Sequence, residues 1–131
     1  MAKDPLEDLL LDAAEVDRAR LADALREVLG IDGTSGKIVP KPGYNSLKTR
    51  QKVLSYLLGM KVAVLVKKVT DELVLPKDIQ EATGLPQGTV NPKLKELKEA
   101  KLVTRDKAGK YYVAQHQLSA ALEDMKKGGQ Q

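Results

Sequence analysis

The side chains best suited to chemistry cluster late in the chain: Gln87, Thr89, Asn91, Lys93 and Lys95, then Arg105, Lys107 and Lys110. Glutamine and asparagine can each make paired hydrogen bonds to the edge of an adenine, while lysine and arginine pair with phosphates. Such a set recognises a polyanion rather than turning over a substrate. Enzymatic constellations need a nucleophile with a base, converging carboxylates, or metal ligands at workable spacing. The chain has no cysteine, which excludes a disulfide framework, a thiolate nucleophile and thiolate-bound zinc. His116 is the one histidine, so a triad or metal cluster would hang on it alone; an ordinary surface histidine is the simpler reading. The carboxylates fall mostly at exposed helical positions, where a solvated face is the default. No catalytic residue, metal ligand or cofactor is expected.

Two helices must position the first group. Leu85, Val90, Leu94 and Leu97 recur at helical spacing and define a face that has to be buried. Thr89 is a good N-cap, and the helix is expected to begin near Val90. Pro92 would then be only the third helical residue, where its missing N–H costs no hydrogen bond; in a helix interior it costs about 3 kcal/mol. Upstream, residues 76–83 read as a short helix opened by Pro76 and stopped by Gly84. Two such helices around a glycine turn form a helix-turn-helix. Downstream, Leu102–Arg105 and Lys110–Ala114 are β-prone runs around an Asp-Lys-Ala-Gly turn, which predicts a hairpin.

A helix-turn-helix followed at once by a hairpin resembles the winged-helix family, and within it the regulators of the MarR and PadR type. The resemblance is carried by GTVNPKLKELKEAKLV, residues 88–103, and extends over about residues 46–127. Lys101 departs from the pattern, standing where the family usually has glycine before the wing. The implied fold class is mainly α with a small β-wing, a winged helix-turn-helix with an N-terminal helical extension. In a helix-turn-helix the second helix enters the major groove, and a wing can follow the backbone. That placement nominates Gln87 and Asn91 as base readers, with Thr89, Lys93 and Lys95 beside them. Arg105, Lys107 and Lys110 become wing contacts, and Lys48, Arg50 and Lys52 further backbone contacts.

The remaining 45 residues divide in two. Asp4-Pro5-Leu6-Glu7 forms a capping box, so a helix should start there and carry an apolar face to Leu29, with a break where Asp17 re-caps it. This stretch, residues 1–30, reads as an acidic amphipathic arm, a poor DNA contact and a good protein contact. Residues 31–45 read as a Gly/Pro-rich connector holding a small strand at Lys37–Val39. The glycines of GIDGTSGK match no phosphate-binding fingerprint and suggest a tight turn. The winged-helix domain is expected over 46–127 and a frayed tail over 128–131.

A long helix should run from Ser46 to about Val69. Beyond Val53 it is apolar on more than one side, so it must be buried all round, by the arm, by a second copy of the chain, or by both. Leu9, Leu10, Leu57, Leu58, Val62 and Leu65 are the expected dimer or partner contacts. Its apolar run of about 14 residues, with Lys61 inside, falls short of the roughly 20 needed to cross a bilayer. The acidic opening MAKDPLEDLLLDAAEV has no basic leader region, which points to the cytoplasm. Glu72–Leu75 should form a short strand beside the wing, and His116–Lys127 a last helix.

The charge balance is mild, 22 Lys plus Arg against 18 Asp plus Glu, a net +4. It suits a polyanionic partner without demanding one. Four tyrosines are the whole aromatic set, too few stacking platforms for a sequence-reading single-strand binder. The outer face of the second helix carries Glu96 and Glu99 among its lysines and has no arginine. Two classes of function are therefore open: a dimeric DNA-binding winged-helix protein, a transcription regulator or DNA-architecture factor, or a winged-helix interaction module in a larger assembly without nucleic-acid contact.

Overall fold

Helix α1 (Ala13–Leu25) begins the part of the chain that the computed structural model describes, residues 13–128, with side chains from Arg18 to Lys127. The capping box at Asp4, and Leu9 and Leu10, lie outside the described residues. α1 runs unbroken through Asp17, and the helix predicted to reach Leu29 stops at Leu25. Val28 and Leu29 are buried all the same, because Leu29 starts a strand: β1 (Leu29–Ile31) pairs antiparallel with β2 (Ile38–Pro40), Leu29 opposite Pro40 and Ile31 opposite Ile38. An apolar pair at the end of a helical pattern fits either periodicity, and only the strand partner decides.

The loop of this hairpin is the tight turn expected from GIDGTSGK. The Asp32 carboxylate accepts from the Thr34 and Ser35 amides at 2.8 and 3.4 Å, and Gly36 turns through φ 75°. Those amide hydrogen bonds hold the Asp32 carboxyl below the usual carboxylate range. They also occupy the N–H groups that a phosphate would need. Residues 31–45, read as a connector, thus carry β2 and a 3-10 turn over Pro42–Ser46 that packs Tyr44 into the core.

Tyr44 is buried, and burial pushes its phenol up to about 12 from 10.0. A folded value above the free one means that the neutral ring stabilises the fold fully below pH 10 and that this contribution is lost as the pH rises towards 12. In an alkaline titration followed by phenolate absorbance, Tyr44 is expected to ionise last, and Tyr44→Phe to remove that final step. A titration curve unchanged by Tyr44→Phe would refute this.

α2 (Thr49–Leu65) is the central element and ends four residues short of the predicted Val69. Lys67 takes a left-handed conformation, φ 61°, while Lys68 N–H donates to Ala63 C=O at 2.8 Å and Lys67 N–H to Val64 C=O at 3.0 Å. This is the two-bond Schellman stop, made here without glycine. Val53, Leu54, Leu57 and Leu58 are fully buried. α1, the β1–β2 hairpin and the later helices cover most of its apolar surface within one chain, leaving Met60, Val62, Val64 and Leu65 half-buried and Val66 exposed at its end. Gly59 lets the β1–β2 hairpin pack closely on α2: an added Cβ would lie 3.1 Å from Ile38 Cδ1 and 3.3 Å from Leu29. Lys61 is buried and paired with Glu72 at 3.1 Å, which ties the α2–α3 loop to the helix.

α3 (Pro76–Thr83) opens on Pro76, with the Asp78 carboxylate accepting from Leu75 N–H at 2.9 Å, and closes on Gly84 at φ 75°. α4 (Gln87–Glu99) starts three residues before the expected Val90. Its cap is Pro86, whose carbonyl accepts from Thr89 and Val90 at 2.9 and 3.0 Å, so Thr89 lies inside the helix. Pro92 becomes the sixth helical residue and leaves the Gly88 carbonyl without its helical partner. Gly88 and Pro92 are both exposed, so water can serve that carbonyl and the interior penalty is softened.

α4 ends on a second Schellman stop: Lys101 sits at φ 63°, Leu102 N–H donates to Leu97 C=O at 3.0 Å and Lys101 N–H to Lys98 C=O at 3.0 Å. Lysine thus adopts the conformation that favours the glycine expected there, against the Cβ penalty of about 1–2 kcal/mol per residue. Lys101→Gly is expected to stabilise the protein by about 0.5–1 kcal/mol in a denaturant titration, and Lys101→Ala to give no gain. Equal effects of the two substitutions would show that the left-handed geometry costs nothing.

β3 (Thr104–Arg105) and β4 (Tyr111–Tyr112) form the second antiparallel hairpin, shorter than the predicted runs. The strand expected at Glu72–Leu75 is a single bridge, Val74 to Tyr111, with N–H···O bonds of 3.2 and 2.7 Å. Val103 is not in the ladder because its carbonyl accepts from Gln117 Nε2 at 3.1 Å, while Gln117 Oε1 accepts from Thr104 Oγ1 at 2.7 Å and Ala114 N–H at 3.1 Å. Gln117, itself buried, clamps the base of the hairpin to the start of α5 (Leu118–Gly128), which follows a 3-10 turn over Gln115–Gln117.

The architecture is a mainly α-helical small domain with two small antiparallel hairpins. Leu21, Leu25 and Val28 from the N-terminal part share one core with Leu57, Ile79, Val90, Leu97, Val113 and Leu122. Among the described residues no helix is long and apolar enough to cross a membrane.

Candidate nucleic-acid interface

Val90, Leu94 and Leu97 are buried, while Gln87, Asn91 and Lys95 are exposed. Spaced four residues apart, these three line one exposed face, each about 6 Å along the axis from the next. Thr89 is half-buried at the side of that face. Lys93 bends along the helix to Glu96, Nζ to Oε2 at 3.3 Å, and is therefore partly neutralised.

Glu96, which from the sequence alone would repel a phosphate, is held from two sides. Arg50 Nη1 donates to Glu96 Oε1 at 2.9 Å, and the hydrogen bonds from Arg50 and then Lys93 keep the Glu96 carboxyl below the usual range. Arg50 simultaneously forks onto Asp124, Nε to Oδ2 at 3.1 Å and Nη2 to Oδ1 at 2.9 Å, joined there by Gln51 Nε2 at 3.1 Å. Burial alone would lower the Arg50 guanidinium; the bonds to Asp124 and Glu96 outweigh it and raise it above its ordinary value. Arg50 is thus committed to joining α2, α4 and α5, and is no free backbone contact. Of its predicted companions, Lys52 lies over the Tyr44 ring at 5.5 Å, and Lys48 is exposed at the N-cap of α2.

The β3–β4 turn is stiffened by its own acid. Asp106 Oδ1 accepts from Ala108 N–H at 2.9 Å and Lys110 N–H at 2.8 Å, and Gly109 supplies φ 82°. With its carboxylate spent on backbone amides, Asp106 competes less for a neighbouring cation. Arg105 and Lys107 stand exposed, and Lys110 is half-buried. From Lys93 to Lys110 there are seven basic residues and three acidic ones.

Sequence reasoning missed the Arg50–Asp124–Glu96 network and the Gln117 clamp. Arg50 lies 46 and 74 positions from Glu96 and Asp124, and Gln117 13 and 14 from Thr104 and Val103, so no local pattern marks either. Among the predicted partner contacts, Leu57 and Leu58 are core residues and offer no surface; Val62 and Leu65 are half-buried beside Val66, which is 44% exposed. His116 is exposed, and among the described residues no group of three or more His, Cys, Asp or Glu is placed to hold a metal ion. Comparisons with known protein families, with curated proteins and with solved structures give no match to this chain.

Proposed function

We propose that the protein is a dimeric winged-helix DNA-binding protein, a transcription regulator or DNA-architecture factor. α3 and α4 are the helix-turn-helix, α4 is the reading helix and the β3–β4 hairpin is the wing. The observation that carries this reading is the basic character of α4 and the hairpin: seven basic residues against three acidic ones from Lys93 to Lys110, with Glu96 among them paired to Arg50 and Lys93. The exposed carboxamides of Gln87 and Asn91 supply the groups that read adenine, and Lys95, Lys107 and Arg105 supply phosphate contacts.

The test is a fluorescence-anisotropy titration of a labelled random duplex at low and moderate salt. Binding that weakens steeply with salt is expected. Asn91→Ala is expected to change preference among duplexes by about 1–3 kcal/mol at one position while leaving the salt dependence unaltered. A uniform loss on every sequence would remove Asn91 as a base reader. Absence of binding at low salt and micromolar protein would favour the protein-interaction reading, for which the exposed Glu99 and the apolar surface at Val66 are the supporting features.

A further inference from the structure

A cleft of about 560 Å³ lies where the start of α2, the middle of α4 and the end of α5 meet, and its charged residues are Lys48, Arg50, Lys93, Glu96, Asp124 and Lys127. Four cations thus face two carboxylates. Both carboxylates are held by one side chain: Arg50, itself only 25% exposed, binds Glu96 at 2.9 Å and Asp124 at 2.9 and 3.1 Å. Arg50 and the two acids together leave one negative charge, against three lysines.

Those lysines are available to different degrees. Among the described residues, the Lys48 and Lys127 side chains make no hydrogen bond or ion pair, and both are exposed. Lys93 reaches Glu96 at 3.3 Å, but the two are exposed and three residues apart on one helix, a pair that water already weakens. When Lys93 leaves, Glu96 keeps its shorter bond to Arg50. No stretch of sequence brings the three lysines together. The Arg50 network does, because it fastens α2, α4 and α5 to one another at this point.

The cleft also borders the reading helix on a defined side. Lys93 and Lys95 are two positions apart, hence about 200° apart around the helix axis, and lie on opposite flanks of its exposed side. A helix lying in the major groove has a phosphate backbone along each flank. Lys95 faces one backbone, and the cleft at Lys93 faces the other. Several ammonium groups around one opening suit a phosphodiester, whose free oxygens accept from more than one of them.

We infer that this cleft seats a backbone phosphate of the duplex, held by Lys48, Lys93 and Lys127, and that Arg50 is the positioning residue that makes the seat by occupying Glu96 and Asp124. The inference rests on the DNA-binding reading above and adds to it a contact away from the hairpin. Arg50 touches no phosphate itself. Without it, two carboxylates open onto the same cleft and repel the anion.

The test uses the full chain and the labelled random duplex at low and moderate salt, with circular dichroism to check the fold. Lys48→Gln with Lys127→Gln is expected to weaken binding about tenfold and to lower the slope of log affinity against log salt by about one. Arg50→Met is expected to weaken binding at least as much. Adding Glu96→Gln and Asp124→Asn to Arg50→Met removes the two freed charges, and is expected to return affinity to that of the unmodified chain; an Arg50 with a purely structural role would leave this triple variant weak. A folded lysine variant with unchanged affinity and salt slope overturns the cleft and leaves the DNA reading standing. A folded triple variant as weak as Arg50→Met overturns the role given to Arg50. Should loss of the network unfold the chain, the lysine pair decides the cleft by itself. If the unmodified chain binds no duplex, the DNA reading falls and the cleft falls with it.

Discussion

Lys107→Glu combined with Lys110→Glu is expected to weaken binding to a random duplex roughly tenfold to a hundredfold at low salt, and to reduce the slope of log affinity against log salt by about two. The turn is shaped by Asp106 accepting from backbone amides and by the positive φ of Gly109, neither of which uses a lysine side chain. The double variant should therefore keep the thermal midpoint of the unmodified protein. Any loss of binding can then be assigned to charge at the β3–β4 hairpin. Undiminished affinity with an undiminished salt slope would take the hairpin out of the interface and leave α4 and the cleft beside it as the contacts.

Gly43→Ala is expected to be the most damaging small substitution. A Cβ at this position would stand 2.3 Å from the Glu27 carbonyl oxygen and 3.0 Å from its carbon, closer than any real contact, and the obstacle is backbone. The approach is close because residues 26–28 and 41–43 are joined by three hydrogen bonds: Lys41 Nζ to Arg26 C=O at 2.8 Å, Gly43 N–H to Glu27 C=O at 3.0 Å and Lys41 N–H to Val28 C=O at 2.8 Å. Forcing these strands of chain apart should cost about 3 kcal/mol, or roughly 10 °C in thermal midpoint. Gly33→Ala is the control, since nothing lies within 4 Å of its added Cβ, and it should change stability by less than about 0.5 kcal/mol. Similar midpoints for the two variants would show that the junction of α1 with the rest of the core is soft.

The elements that were legible in the sequence are those whose cause is local. Pro76 and Gly84 bracket α3, the 90, 94, 97 spacing identifies the buried face of α4, and the Asp-Lys-Ala-Gly run marks the second hairpin. Boundaries were missed where the residue type does not announce the cause or the cause lies elsewhere in the fold. Lys67 stops α2 four residues before the expected Val69, in a left-handed conformation that lysine seldom takes. Leu29 turned out to be a strand residue because Pro40 lies opposite it, and Val103 left the second ladder because Gln117 holds its carbonyl.

The candidate site divides in the same way. The sequence by itself determined which residue types are present, how they are spaced, and that the helical face opposite Leu94 carries Pro92, Lys95, Glu96 and Glu99. Periodicity is enough for that, since side-chain direction on a helix follows from position alone. Only the tertiary structure decided the electrostatics of the face. Arg50 reaches Glu96 across 46 positions and cancels its charge, Asp106 turns inward to its own backbone, and Leu57 and Leu58 vanish into the core while Val66 stays exposed. Charge pairing and burial act through space over a few ångströms, and distance in space cannot be read from distance along the chain.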